Sequence, residues 1–250
     1  MRDNLIHLTS TSSTNDYLHH LISCDDSLTE GLVIWSDFQT EGKGQISNVW
    51  ESEAGQNLTF SMLFFPSCVS ASEQFLLSQF VSLGIVDYLR NHVGLSDVTI
   101  KWPNDIYWKN KKICGILIEN LLVGSSISHT IVGVGLNVNQ KKFLSDAPNP
   151  VSMAMATKRT FNLEVELPKL VDCIKARYLQ LIKNDFSTIR AQYFNSMYHG
   201  DSFYYYTDDK GSFAAKIDSV ADDGILSLRL VDGEVRKYAF KEVTFIVSNK

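Results

Sequence analysis

The chain has 250 residues, 44% of them hydrophobic, with 23 basic against 28 acidic side chains and a formal charge of −5. That length suffices for one sizeable core and a small second domain, and a mildly acidic balance without a basic block speaks against a nucleic-acid partner. No apolar run reaches the roughly 20 residues of a membrane span, and the polar N-terminus lacks the apolar stretch of a signal peptide.

In chain order, Ser13-Thr14-Asn15 precedes Tyr17, Leu18, Leu21 and Ile22, whose spacing predicts a short helix with a hydroxyl cap. Residues 31–37 are strand-like, a Gly-Lys-Gly loop follows, and residues 57–65 form a second strand candidate. Ser70 and Glu73 have capping-box spacing. The helix they introduce runs to about Asn91 and is apolar on most sides, so it should be buried. Strand candidates come next at 98–102, 112–119 and 129–138. Residues 139–162, with Pro148 and Pro150, look like a loop. Leu167, Leu170, Val171, Ile174, Tyr178, Leu181 and Ile182 share one helical stripe, and Phe186 to Met197 continue as another helix.

The character changes at His199-Gly200. Five short β-like runs (SFYYYT, SFAAKIDSV, GILSLRLV, VRKYAF and VTFIV) alternate with Asp- and Gly-rich turns, as in a small antiparallel barrel. The expected organisation is therefore α+β, with one domain over 1–199 and a β-barrel over 200–250. Cys24, Cys68, Cys114 and Cys173 form no CxxC pair and read as reduced thiols of a cytoplasmic protein. The six histidines show no metal-ligand spacing.

Four stretches carry chemistry. QTEGKGQISNVW, residues 39–50, fails the Walker pattern, because Asp37 stands where its first glycine belongs. It fails the dinucleotide fingerprint too, since Ser47 replaces the third glycine and a strand follows instead of a helix. A polar hairpin loop and an anion-wrapping loop both stay open: glycines admit backbone N–H donors, Lys43 adds charge, and Trp50 closes the loop over an apolar ligand. IKWPNDIYW, residues 100–108, is either a β-turn with Trp102 in the core or a functional turn, with Asn104 and Asp105 available for local hydrogen bonds. KKICGILIEN, residues 111–120, places Lys112 at a strand mouth and Gly115 where something approaches the backbone. Lys112 could equally be a solvated surface lysine. VGVGLNVN, residues 132–139, interrupts a strand with Gly133 and Gly135. Bare strands of this kind suit a flat ligand on a sheet or the close packing of a helix.

Taken together and in this order, these stretches resemble the biotin protein ligases, whose pattern reads Ser-Thr-Asn, GRGRxGRxW, KWPND, KxxGILxE and GxGxN. Here those are Ser13-Thr14-Asn15, Gly42 to Trp50, Lys101 to Asp105, Lys112 to Glu119, and Gly133 to Asn137. The resemblance spans essentially the whole chain. It implies a class II synthetase-like, lipoate–biotin ligase catalytic domain with a mixed sheet and helices, followed by an SH3-like barrel. It implies synthesis of biotinyl-5′-AMP from biotin and ATP with Mg²⁺, then transfer of biotin to a lysine of a carboxylase's biotin carboxyl carrier domain. By the same resemblance, Lys112 and Lys43 are the catalytic cations, and Ser13, Thr14, Gln39, Gly42, Trp50, Lys112 and Gly115 hold biotin. Lys43, Gly44, Gln45, Lys101, Asn104, Lys112 and Asn137 hold the nucleotide, and Asp105 is the candidate metal ligand. A homodimer is compatible with it, and the early position of Ser13 suggests a monofunctional ligase without a repressor domain.

The loop departs from the family's. Lys43, Gln45, Ser47 and Asn48 replace Arg, Arg, Gly and Arg, and lysine or an amide does not reproduce a bidentate guanidinium at a phosphate. The expectation is faster escape of the adenylate. Three rivals stand beside this reading: a lipoate or octanoate ligase, a catalytically inert biotin sensor, and a β-barrel interaction protein.

Overall fold

The structure is a computed structural model and describes residues 4–45, 48–144 and 149–246. A seven-stranded mixed sheet forms the larger layer, in the order β1-β2-β3-β7-β6-β5-β4. Its strands are β1 (Leu5–Leu8), β2 (Val33–Ser36), β3 (Leu58–Phe64), β4 (Val98–Lys101), β5 (Asp105–Trp108), β6 (Lys111–Val123) and β7 (Ser126–Leu136). Only β1 and β2 pair in parallel. A five-stranded antiparallel sheet follows, in the order β11-β10-β9-β8-β12, from β8 (Tyr204–Asp208), β9 (Gly211–Val220), β10 (Leu226–Leu230), β11 (Val235–Tyr238) and β12 (Thr244–Phe245).

Strand periodicity divides the large sheet into two faces. Val33, Trp35, Phe60, Met62, Phe64, Val132 and Val134 point into the main core. That core is closed by α2 (Phe75–Tyr88), α4 (Leu163–Ile182) and α5 (Phe186–Asn195), and α2 is buried on nearly all sides. The alternate residues Ile34, Leu63 and Ile131 face the other way and pack under Leu18 of α1 (Thr14–Cys24). Along the same face the apolar residues give way to Thr59, Ser61, Gly133 and Gly135, which are paired across β3 and β7. Gly115 lies opposite Gly135, Leu117 opposite Gly133 and Glu119 opposite Ile131. Residues directly opposite share a face, so one end of the α1 side of the sheet is a floor with almost no side chains.

The second sheet packs on the first through one continuous core. Trp102 Nε1 donates to Gly224 O at 2.9 Å, its ring meets Phe240 at 5.3 Å, and Arg190 of α5 pairs with Asp222.

Several local expectations are corrected. Ser13 is the N-cap of α1 but makes no side-chain capping bond. The first helical N–H, that of Thr14, goes instead to Gln39 Oε1. Ser70 and Glu73 do not form a capping box. Their side chains bond each other at 3.0 Å over a short 3-10 turn, and α2 begins at Phe75. Within 139–162, read as loop, α3 (Met153–Thr157) forms and is capped by Ser152. Five residues are too few to show a helical period. The four-residue edge strand β1 was not foreseen for the same reason. Pro148 and Ser47 lie outside the described residues.

Candidate active site

The bare end of the sheet is the floor of a cavity of about 330 Å³, walled by α1, the Gly-Lys-Gly loop, the KWPND turn and the C-terminal sheet. The cavity brings together Ser13, Thr14, Gln39, Lys43, Gly44, Gln45, Trp50, Lys101, Asn104, Asp105, Lys112 and Gly115. Residues far apart in sequence therefore converge on one place. Gly42 and Asn137 do not line it.

At one end, residues 11–12 run beside 38–41 through Thr11 N→Phe38 O, Thr40 N→Thr11 O and Glu41 N→Ser12 O. This ladder sets Thr14 against Gln39. Gln39 Oε1 accepts from Thr14 N at 2.7 Å and lies 3.1 Å from Thr14 Oγ1. The amide is thereby oriented, with Nε2 on the side of Gly42. Thr14 Oγ1 also lies 2.7 Å from Ser61 Oγ, so a protein oxygen takes its proton in either direction. Its remaining lone pair is an acceptor. This end of the cavity thus offers one fixed acceptor and one fixed N–H donor.

The loop is folded back on itself. Trp50 N donates to Gly42 O at 2.8 Å, Gly44 N donates to Asn48 O at 2.7 Å, and Lys43 bridges Val49. Gly42 serves this closure rather than the cavity, since a Cβ there would stand 2.6 Å from Trp50 O. The Trp50 indole lies flat against the floor. A Cβ on Gly135 would fall 2.3 Å from its Cε2, and one on Gly115 would fall 2.9 Å from its Cζ3. The strand glycines are required because an aromatic plate rests on the backbone. Trp50 Nε1 is buried without a hydrogen-bond partner. Lys43 lines the cavity, but its ammonium is bound to Asp16 of α1 at 2.6 Å, which raises its pKa above the usual lysine value.

At the opposite end sit two lysines and a carboxylate. Lys112 Nζ is 2.7 Å from Asp105 Oδ1 and 5.5 Å from the Trp50 ring. The backbone of Lys112 pairs with residues 149–151 through Lys112 N→Asn149 O and Val151 N→Lys112 O. Lys101 Nζ stands over the rings of Tyr107 at 5.3 Å and Phe245 at 5.4 Å. Burial lowers the Lys101 pKa, against the opposing pull of Asp105.

Asp105, the candidate metal ligand, lines the same end of the cavity. It is the one carboxylate among the described residues lining the cavity, and it is committed to Lys112. No group of three His, Cys, Asp or Glu among the described residues could cage an ion. Asn104 lines the cavity, yet its Nδ2 donates to Ile116 O at 2.6 Å and holds the turn against β6. Asn137 is buried behind the cavity. Its Nδ2 donates to Val151 O, and its backbone bonds Ile113 and Met153. It fixes the segment that runs beside Lys112.

Sequence reading missed Ser61, which lies beneath Thr14, and the wall given by Lys241, Val243, Thr244 and Phe245. A lone serine in an apolar strand carried a weak signal. The barrel residues carried none, because nothing in their sequence says which edge faces the first domain.

Fold and site define a two-ended cleft: a fixed hydrogen-bonding end joined by a glycine floor to a cationic end, under an aromatic loop. Residues 8–137 match the biotin/lipoate A/B protein ligase family, and the chain belongs to it. It is 26% identical to the bifunctional ligase/repressor BirA of Bacillus subtilis over 244 residues, covering 96% of this chain and 73% of that one. It is 30% identical to BirA of Escherichia coli over 130 residues, 52% of this chain and 39% of that one. Among solved structures, the biotin protein ligase of Aquifex aeolicus with biotin and ATP superposes with a TM-score of 0.80 at 22% identity, over 98% of this chain and 99% of that one. No helix among the described residues is long and apolar enough to cross a membrane.

Proposed function

We infer that the chain is a biotin protein ligase, which joins biotin to ATP as biotinyl-5′-AMP and passes the biotinyl group to a lysine of a biotin carboxyl carrier domain. The observation that carries this choice within the family is the fixed acceptor of Thr14 beside the fixed donor of Gln39. A cyclic urea presents N–H and C=O edges that complement that pair. The dithiolane head of lipoate and the alkyl chain of octanoate present neither, and would leave both groups unpaired at a cost of about 1–3 kcal/mol each.

With the urea at Thr14 and Gln39, the thioether ring and tail run along the Trp50 indole that covers the glycine floor, and the carboxylate arrives at Lys112. A carboxylate oxygen attacks the α-phosphorus and pyrophosphate leaves. The charge gathered there is met by Lys112 and Lys101. Asp105 keeps the Lys112 ammonium aimed into the cavity. Mg²⁺ would accompany the triphosphate as part of the nucleotide substrate and neutralise its charge; among the described residues Asp105 is the carboxylate that could reach it. The acceptor lysine then attacks the acyl carbon and AMP leaves. No covalent enzyme intermediate is needed; positioning does most of the work. Residues 1–199 act as the catalytic domain, and the SH3-like domain from 200 onward contributes a wall of the nucleotide end. The four free thiols suit a reducing, cytoplasmic setting.

The test is incubation with ATP, a carrier domain and either biotin or lipoate, read by intact mass. Biotin-dependent modification of one lysine is expected; modification with lipoate but not with biotin refutes the assignment.

A further inference from the structure

We propose that Glu119 and Asn15 are positioning residues for the head of the ligand, acting through Ser61 on the hydroxyl of Thr14. This rests on the biotin reading of the cavity.

Asn15, Thr14 and Ser61 are only 3%, 4% and 0% exposed. Asn15 Nδ2 donates to Glu119 Oε2 at 2.6 Å, which fixes the amide, because a carboxylate accepts and does not donate. Asn15 Oδ1 then faces Ser61 Oγ at 2.5 Å and can only accept. Ser61 has one proton and two oxygen neighbours, Asn15 Oδ1 at 2.5 Å and Thr14 Oγ1 at 2.7 Å. Its proton goes to Asn15, and the contact with Thr14 is satisfied by the Thr14 proton. Thr14 is thus held from below by a chain of three side chains ending in a charge, and its free lone pair is aimed rather than free to rotate.

The fold is built to admit this chain. Glu119 lies on the floor face of β6, opposite Ile131. Gly133 leaves the space that Asn15 occupies, since a Cβ there would stand 2.5 Å from Asn15 Oδ1. The Ser-Thr-Asn stretch of α1 and the end of KxxGILxE are 104 residues apart, and this hydrogen bond joins them.

The test is a set of substitutions in the full chain, with biotin dissociation constants from calorimetry and the ATP KM from pyrophosphate exchange. Asn15→Asp sets two carboxylates against each other and should weaken biotin by about 10- to 100-fold, the range of a hydrogen bond to a charged group. The ATP KM should move less than about twofold. Glu119→Gln keeps an oxygen that accepts from Asn15 but loses the charge, and should weaken biotin by less than about threefold. In combination, Asn15→Asp with Glu119→Gln should return biotin affinity to within about threefold of wild type, since the new amide donates to the new carboxylate. Ser61→Ala, which leaves the Asn15–Glu119 bond intact, should weaken biotin alone and covers the case in which Asn15→Asp fails to fold. A substitution that weakens binding slightly alone yet rescues its neighbour, with ATP unaffected, is not a pattern of general destabilisation. The proposal is overturned if the double substitution binds no better than Asn15→Asp, if biotin and ATP weaken together, or if Ser61→Ala binds biotin as wild type does. Wild-type protein that binds no biotin overturns the functional reading and this proposal with it. Biotin binding by wild type without rescue overturns this proposal alone.

Discussion

Gly135→Ala tests whether the glycine floor exists for Trp50. The added Cβ would stand 2.3 Å from Cε2, 2.6 Å from Nε1 and 2.7 Å from Cζ2 of the indole. A carbon–carbon contact needs about 3.5 Å, so the ring must retreat by about 1.2 Å. Strain from such overpacking is typically about 1–3 kcal/mol. The sheet cannot yield, because Gly135 is paired on both sides, with Thr59 of β3 and Gly115 of β6. The loop can. Between flanks held by Glu41 N→Ser12 O and by Glu51, which accepts from Leu144 N, its side-chain tie is the exposed Lys43–Asp16 pair, worth only about 0.2–1 kcal/mol. The loop should therefore lift, sparing the fold but displacing the indole against which the ligand lies. Unfolding free energy in denaturant should change by less than about 1 kcal/mol, while biotin binds about tenfold more weakly. The decisive measurement is the double-mutant cycle with Trp50→Ala. Once the indole is gone, Gly135→Ala has nothing to strike, so the two effects should overlap with a coupling of at least about 1 kcal/mol. Additive effects on biotin affinity would refute the contact as the reason for the glycine.

Two further outcomes follow from the site and one from the junction with the second sheet. Lys112→Ala should cut biotin-dependent pyrophosphate exchange by about 10²–10³-fold, the usual cost of one preorganised charge-stabilising group, with an unchanged circular dichroism spectrum; near-normal exchange would remove Lys112 from the chemistry. Gln45→Arg should slow escape of biotinyl-5′-AMP by about tenfold, because a guanidinium adds a charge-assisted contact; a pulse-chase without carrier domain reads this directly, and an unchanged half-life would mean the loop retains the adenylate by backbone donors alone. His199 is held neutral, its pKa lowered to about 4 by burial, with its ring stacked between Tyr198 and Tyr204. A depressed histidine pKa leaves stability intact above the unfolded value near 6.5 and erodes it as pH falls from there toward 4. Allowing for its half-exposed edge, the loss at pH 5 should be about 1 kcal/mol, and His199→Phe should be flatter between pH 7.5 and 5 in denaturant titrations. Parallel profiles for the two proteins would show that another group carries the acid sensitivity.

The long elements were legible because they repeat a pattern over many residues. The α4 stripe from Leu167 to Ile182 has a helical period over four turns, and the β-like runs after His199 have turn residues at each end. β1 and α3 are too short to repeat anything. Ser13 reads as a cap, but the ladder between residues 11–12 and 38–41 brings Gln39 alongside to take the Thr14 N–H, a long-range pairing that local sequence does not reveal. The site was legible where chemistry needs a rare residue type, such as Lys112 or the strand glycines. It was illegible where common residues act through others. Ser61, Asn15 and Glu119 form the support of Thr14, and only the register of β3, β7 and β6 places them side by side.

That register also explains why the two ends of the cleft differ in kind. Along β6 and β7, floor positions run from Glu119 and Ile131 through Leu117 and Gly133 to Gly115 and Gly135, and β5 adds Asp105 opposite Gly115. The carboxylates stand at the two extremes, and the bare backbone lies between them. Glu119 is spent on an amide and ends in a neutral, directional hydrogen-bonding group at Thr14. Asp105 is spent on Lys112 and steadies a cation. An elongated ligand that is polar and uncharged at one end and anionic at the other has one orientation in such a cleft. Reversing it would put a carboxylate against the lone pair of Thr14 and a neutral urea against the two lysines, so the sheet itself directs the reacting carboxylate to the lysines.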